Sequence, residues 1–356
     1  MRNPFAMECG NFKVNYREDM AIYKNARVRT RVLLIVAFFF VYPLFASDYY
    51  ISLATMCAMA SIGAIGLNIL TGYTGLISIG VGAFLGVGGY ASALLTTKLG
   101  LSFWVSVPLA GLITAAVGAV FGIPSLRLKG LYLAMATLAA QVIILFLIVN
   151  WESLTNGTAG IIVQRPELFG FKFSSEISYY YLVLVVLIAT VIFTMNLFRT
   201  RVGRAFVAIR DRDLAAEVMG INLFKYKIYA FAISSFFIGI AGALMGHYTR
   251  VIGPEHYDLN VSISYLAMIL IGGLGSVIGS IFGAVFITLM PVALREIITF
   301  LSPWIPALGN HYAGIREMIF GLIIILFLIY EPEGLYKIWR NIRDYFRLWP
   351  FSYSKK

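Results

Sequence analysis

Ten apolar windows, most of them close to 20 residues long, follow one another along this chain with little between them. About 20 consecutive apolar residues make a helix that crosses a bilayer, and in hydrocarbon only a helix or a closed barrel satisfies its own backbone hydrogen bonds. The windows fall near 32–47, 50–71, 76–97, 103–123, 131–149, 179–198, 228–246, 261–271, 276–293 and 313–330. The first and eighth are short. Pro43 is placed to kink the first, and 261–293 reads alternatively as one long tilted helix, which would make the count nine. The chain has 356 residues and only 13% are charged, where a soluble domain carries about 25%. The expectation is an all-α, polytopic integral membrane protein with about ten transmembrane helices.

Charge placement predicts the orientation. Net charge is +11, which in a soluble protein would suggest nucleic acid; here Lys and Arg beside spans report topology instead, and no nucleic-acid partner is expected. With strict alternation, the tail 1–31, the loop 124–130 (Arg127, Lys129), the loop 199–227 and the segment after the tenth window share one face. They hold 22 of the 28 basic residues. The other face has Lys98, Arg165, Lys172, Arg250 and Arg295, with Arg316 at a helix end. This asymmetry predicts both termini and the 199–227 loop in the cytoplasm, and it favours ten spans over nine. The domains read as a basic tail 1–31, a membrane domain 32–330 and a second cytoplasmic tail 331–356. The first 30 residues are polar and basic, unlike a cleavable signal, and read as a retained tail.

Several chemistries lack their residues. There is no GxxxxGK loop followed by Ser or Thr, so ATP hydrolysis by this chain is not expected. No HExxH or GxSxG is present. Cys9 lies in the tail and Cys57 in an apolar window, so no disulfide framework is implied. His247, His256 and His311 read as loop residues on the outer face, and no metal or bound cofactor is expected. No carboxylate sits clearly at mid-depth, which argues against an ion-coupled carrier and suits a substrate without large net charge, such as a zwitterion or small amide.

The chain echoes itself. Ile69-Leu70-Thr71-Gly72-Tyr73-Thr74-Gly75 resembles Ile269-Leu270-Ile271-Gly272-Gly273-Leu274-Gly275, 200 residues on. Glycine-interrupted segments at matching places point to a transporter of two related halves, with a pathway near the interruptions; small residues also serve ordinary helix packing. The candidate pathway residues are Asn68, Gly72, Thr74, Gly75, Ser78, Gln141, Gly272, Gly273 and Gly275. Thr71 and Thr137 are further polar groups inside apolar windows. Such groups either hydrogen-bond a substrate or tie helices together.

Between the sixth and seventh windows runs RVGRAFVAIRDRDLAAEVMGINLFKYK, residues 201–227, the densest mixed charge in the chain's interior. Arg210, Asp213 and Glu217 recur at three- and four-residue intervals and would form one stripe on a continuous helix. Asp213 is placed to cap a helix beginning at Leu214, and Gly220 to end it in the left-handed region. The prediction is a compact knob of small and charged surfaces that docks into a partner. An interfacial helix lying on lipid is the alternative.

The stretch from GRAFVAIRDRDLAAEVMGI through GALMGHY resembles the coupling region of LivM-type permeases of branched-chain amino-acid ABC importers. LAAEVMGI at 214–221 is similar to the EAA-like loop by which importer permeases dock on their ATPases. GLNILTGYTGLISIGVGAFLGVGGYASALL (66–95), RLKGLYLAMATLAAQ (127–141), LTNGTAGI (154–161), ISYLAMILIGGLGSVIGSIFGA (263–284) and EPEGLY (331–336) resemble the same family, so the likeness spans about 60–336. It implies a fold of about ten spans in a bacterial inner membrane. It also implies a second, LivH-like permease, two ABC ATPase subunits that use the ATP, and a periplasmic binding protein. The coupling helix would include Ala208, Arg210, Asp211, Asp213, Ala215, Ala216, Glu217, Gly220 and Asn222. The outer loops 150–178 and 247–260 would meet the binding protein, with Gly157 and Gly160 forming tight turns. A urea or short-amide permease of the same machinery is the closest alternative. A stand-alone channel and a membrane enzyme fit the residues less well.

Overall fold

The computed structural model describes residues 26–124, 128, 130–168, 171–173, 175–301, 312–331 and 333–348. Most of the 1–31 tail, Cys9, Arg127, Lys129, His311 and the last eight residues lie outside them. Thirteen helices carry the description below: α1 (Ala26–Val41), α2 (Asp48–Asn68), α3 (Val81–Thr97), α4 (Phe103–Gly122), α5 (Leu131–Asn150), α6 (Glu176–Leu197), α7 (Arg201–Asp211), α8 (Asp213–Val218), α9 (Leu223–Thr249), α10 (Leu259–Gly272), α11 (Val277–Leu301), α12 (Tyr312–Tyr330) and α13 (Leu335–Leu348). Four two-residue strands occur outside the bundle: β1 (Ile161–Ile162), β2 (Glu167–Leu168), β3 (Phe171–Lys172) and β4 (Val251–Ile252). The protein is a multi-pass helical membrane protein.

Among the described residues six helices qualify by length and apolarity to cross a bilayer: α2 with its extension to Tyr73, α4, α5, α6, α9 and α11. The pair α12–α13, bent by 48°, would make a seventh, and α3 and the stretch Val32–Leu44 are apolar but shorter. The first window behaves as Pro43 requires: α1 stops at Val41 and a single 3-10 turn, Tyr42–Leu44, carries the proline. The long-helix reading of 261–293 does not hold. Gly273 (φ +119°) and Gly275 (φ +74°) break the chain between α10 and α11.

The bundle is centred on α2 and α9. Of the apolar window of α2, 78% is buried, and of that of α9, 67%, against 39% for α4, α5 and α6. The difference follows from composition. Lipid tails give no hydrophobic drive between helices, so close packing depends on small residues that let backbones approach. The sequence of α2 (DYYISLATMCAMASIGAIGLN) and of the second half of α9 (IGIAGALMGHYT) supply them. Where α3 meets α9, a β-carbon on Gly88 would strike the backbone of Gly239. The outer helices instead expose Leu, Ile, Val and Phe, as lipid contact demands. Peripheral α1 is held by Tyr180 and Tyr181 of α6, whose hydroxyls donate to the carbonyls of Phe39 (3.0 Å) and Phe40 (2.8 Å).

At one end of the bundle the 150–178 loop is stitched to the end of α9. β1 pairs antiparallel with β4, Ile161 opposite Ile252, and Val163 N–H donates to the Arg250 carbonyl at 2.9 Å. The turns foreseen at Gly157 and Gly160 are present, with φ of +58° and +71°. His247 corrects the sequence reading: it lies in the last turns of α9, buried, between Ser92 (2.9 Å) and the Gln164 carbonyl (3.1 Å). The window ended at 246 because His is polar, yet two hydrogen bonds satisfy the ring inside the bundle. His256 is in the short 3-10 turn Pro254–Tyr257, as a loop residue should be.

Candidate functional site: a glycine-turn junction clasped by Arg210

Two interrupted helices meet at the other end of the bundle. The first, α2, unwinds after Asn68 into a π-turn, Ile69–Tyr73, followed by an irregular stretch before α3. The second break runs from Gly272 to Ser276 between α10 and α11. Their pivots match: Gly75 and Gly275 both have φ of +74°. Left-handed backbone is costly for any residue with a β-carbon, and glycine occupies it freely.

Asn68 ties the two breaks together. Its amide donates to the Ser276 carbonyl (2.9 Å) and the Ser280 hydroxyl (2.6 Å), and its carbonyl accepts from Gly275 N–H (2.9 Å). The contact is close enough that a β-carbon on Gly72 would lie 2.5 Å from the Gly275 nitrogen. Thr74 closes the first turn by donating to the Ile69 carbonyl (2.9 Å), and Thr71 does so to that of Leu76 (3.1 Å). These buried polar groups are spent on the protein's own backbone, as a membrane interior requires.

Above them the short helix α3 begins inside the bundle, and neighbouring helices supply its missing partners. Thr137 of α5 accepts from Ile79 N–H (2.9 Å), Ser262 of α10 from Gly82 N–H (2.7 Å) and Gln141 of α5 from Ala83 N–H (2.8 Å). Gln141 also accepts from the Ser262 hydroxyl (3.0 Å) and donates to the Tyr257 carbonyl (2.9 Å). The first orphan donors of a helix need such partners when water is absent. Ser78, buried beside them, accepts from Gly80 N–H.

The 199–227 segment packs directly on this junction. Thr200 caps α7 by accepting from Gly203 N–H, and Asn222 caps α9 by accepting from Lys225 N–H (3.0 Å). One face of α7 is apolar: Phe206 is fully buried in a cluster with Ile69, Leu70 and Leu76 of the first turn and with Phe231 and Phe237 of α9. Burying a phenylalanine is worth roughly 1.5–3 kcal/mol, so the knob is fixed to the turn rather than loosely tethered.

Arg210 makes the decisive contact. Its Nη1 donates to the Gly72 carbonyl at 3.1 Å, and its Cγ lies 3.1 Å from where a β-carbon on Gly75 would be. The same Nη1 is 2.9 Å from the β-carbon position of Gly275. Its Nε and Nη2 donate to the Asp211 carboxylate at 3.2 and 3.1 Å. One side chain therefore touches both glycine breaks. Of the coupling candidates, Arg210 is a neighbour of the pathway candidates Gly72, Gly75 and Gly275.

The single stripe expected of Arg210, Asp213 and Glu217 does not form. Arg212 is extended (φ −158°, ψ 105°) and splits the segment into α7 and α8. The cap expected of Asp213 is not made: α8 begins at Asp213 itself, Arg212 holds the cap position without a side-chain hydrogen bond, and Asp213 accepts from its neighbour Leu214 N–H (2.9 Å). Gly220 follows the helix end with φ of +84°, as expected. Ala216 is buried against the bundle and Ala208 is half-buried, while Ala215, Glu217 and Gly220 face outward. Beside them Leu214, Val218 and Met219 stand 68%, 88% and 83% exposed. Sequence reasoning stressed the charges of the knob and overlooked these apolar residues; their i, i+4 spacing at 214 and 218 was the available signal.

Sequence reasoning also missed Lys227, buried at the start of α9. It borders a cavity of about 370 Å³ between the first glycine turn and the knob, together with Thr74, Gly75, Arg210, Asp211 and Asp213. A lysine next to an apolar span reads as a topology marker, and burial could not be seen from its position. Among the described residues no group of three or more His, Cys, Asp or Glu could hold a metal.

Residues 49–328 match the family described as branched-chain amino acid transport system / permease component. The chain belongs to that family. It is 32% identical over 327 residues to the high-affinity branched-chain amino acid transport system permease protein LivM of Salmonella typhimurium, covering 85% of this chain and 73% of the relative. The Escherichia coli protein of the same name is 31% identical, covering 83% and 71%. A more distant relative, the autoinducer 2 import system permease protein LsrC of Salmonella paratyphi B, is 26% identical over 91% of both chains. No solved structure matches. The family resemblance seen in the LAAEVMGI and glycine-rich segments therefore extends over most of the permease chain.

Proposed function

We propose that this chain is the LivM-type permease subunit of an ATP-driven importer that takes branched-chain amino acids from a periplasmic binding protein to the cytoplasm. Membership of the permease family and the likeness to two LivM proteins support the substrate class; no observation favours urea or another amide. In this reading ten helices cross the membrane in two related halves, some as broken spans. The matching +74° pivots at Gly75 and Gly275 support the relation between halves. The positive charge of the 199–227 loop supports its cytoplasmic placement, with both termini on the same side. ATP is hydrolysed on two separate ABC subunits, a LivH-like chain completes the pathway, and no cofactor binds here.

The contact of Arg210 with both glycine breaks is the observation that carries the mechanism. The exposed Leu214, Val218 and Met219 enter a groove on the ATPase, with Glu217 beside them. When ATP draws the ATPases together, α7 and α8 move as the ATPases do. Arg210 passes that movement to the two breaks, where the chain can turn without disturbing helical hydrogen bonds. The small zwitterion passes without needing a fixed buried charge, and the binding protein supplies most of the selection. The test is uptake of radiolabelled leucine and urea into proteoliposomes holding this chain with its permease and ATPase partners. Leucine uptake that needs ATP and every component is the expected result. Uptake of urea alone, or uptake by this chain without the ATPases, would overturn the reading.

A further inference from the structure

The segment after α12 was foreseen only as a tail, yet residues 335–348 form helix α13, LYKIWRNIRDYFRL. Its residues separate at helical spacing, apart from Tyr336, which falls between Arg343 and Arg340 and packs beside Gly273. Leu335, Ile338, Trp339, Ile342 and Tyr345 fall on one arc, and Lys337, Arg340, Asn341, Arg343 and Asp344 fall on the other. Charged residues this dense set α13 apart from the apolar helices that cross by themselves. The inner edge of the apolar arc sits on the bundle, with the Trp339 ring against Phe282 of α11 at 6.2 Å. The rest has no cover: Trp339, Ile342 and Tyr345 are 48%, 46% and 58% exposed.

We propose that α13 is an interfacial arm that seats in the bilayer surface and recognises anionic lipid headgroups. Three observations favour lipid over a protein partner. The arm turns off at 48° directly from α12, so it starts where a membrane helix ends. Its exposed apolar residues include Trp and Tyr, which favour the headgroup boundary. The helix carries four Lys or Arg against one Asp, and basic residues flanking an apolar face are the pattern that holds a helix in an anionic interface. Lys337 and Arg340 are paired here with Glu333 (3.1 and 3.2 Å), and Arg343 with Asp344 (3.2 Å). These pairs are exposed and therefore weak, and phosphate oxygens can replace their carboxylates.

The seat bears on the junction. The Glu333 carbonyl lies 2.8 Å from the β-carbon position of Gly273, and Tyr336 Cβ lies 3.1 Å from it. The root of the arm thus packs on the same glycine break, at Gly273, that Arg210 approaches at Gly275. Headgroup binding fixes that root in place. The inference does not depend on which substrate crosses or on the coupling reading.

The test uses the full chain with Cys9→Ser and Ile342→Cys, labelled with bimane; Cys57 is buried. It is reconstituted in vesicles of phosphatidylcholine or of phosphatidylcholine with phosphatidylglycerol. Quenching by a doxyl lipid, and protection from iodide in water, should both be stronger in the anionic vesicles. Arg340→Gln with Arg343→Gln should lower the seated-to-unseated ratio there about 30-fold, from about 1 kcal/mol for each basic residue near an anionic surface. If that variant does not insert, raising salt on the parent should produce the same release. Iodide access that is equal in all vesicles would overturn the proposal. So would a seat indifferent to lipid charge, salt and the arginines, or protection that appears only when ATPase subunits are added.

Discussion

Arg210→Ala tests the junction most directly. The substitution removes one charge-assisted hydrogen bond to the Gly72 carbonyl and the methylene that packs beneath Gly75. A hydrogen bond to a charged group is worth about 1.5–3 kcal/mol when well shielded. The Arg210 side chain is 39% exposed, so screening reduces this to about 1–1.5 kcal/mol. Lost packing of a half-covered methylene pair adds roughly 1 kcal/mol. The grip of the knob on the two breaks should therefore weaken by about 2 kcal/mol, a factor of about 30 in equilibrium. The helix surfaces that hold the bundle are untouched, and Phe206 still anchors α7. The expected outcome is normal membrane insertion and normal co-purification of the ATPases, with leucine uptake in proteoliposomes about 30-fold lower. Stimulation of ATP hydrolysis by the loaded binding protein should fall alongside. Arg210→Lys keeps one donor for Gly72 but loses the planar fork shared with Asp211, so it should recover part of the uptake. Uptake by Arg210→Ala within twofold of the parent, at equal insertion, would refute the reasoning.

Three further outcomes follow from the same geometry. Gln141→Leu strands Ala83 N–H, the Ser262 hydroxyl and the Tyr257 carbonyl, and should cost about 2–4 kcal/mol; a clear fall in the thermal midpoint of the purified protein in detergent checks it. Gly283→Ala places a β-carbon against the Met268 carbonyl and should abolish insertion, while Gly321→Ala, with open space around it, should leave yield unchanged or raised; a quantitative blot of membranes separates them. Leu214→Asp with Val218→Asp should stop the ATPases co-purifying while the permease inserts normally, and Glu217→Lys should lower uptake at equal insertion; these residues face outward.

How much was legible depends on the range of the interaction. A span is local: about 20 apolar residues fix a helix whatever surrounds them. Each of the ten windows accordingly holds a helix, although α1 stops short at Pro43 and α9 and α11 run past their windows. Turns are local as well, so Gly220, Gly157 and Gly160 could be read directly. The continuous stripe through Arg210 and Glu217 failed because Arg212 is extended where α7 gives way to α8, and no local signal at Arg212 marks that break. His247 and Lys227 were misjudged for a related reason. Burial depends on packing between helices, and the partners of His247, Ser92 and Gln164, lie far away in sequence.

The sequence by itself determined that this chain is a helical membrane protein, where its apolar helices lie and to which permease family it belongs. It also showed two glycine-rich breaks 200 residues apart. Tertiary structure decided that those breaks meet, that Asn68 joins them and that Arg210 reaches both. It decided too that α13 closes on the second break. The physical reason is that apolarity, propensity and turn conformation are properties of neighbouring residues. The partner of a buried amide or guanidinium is chosen only when helices distant in the chain pack together.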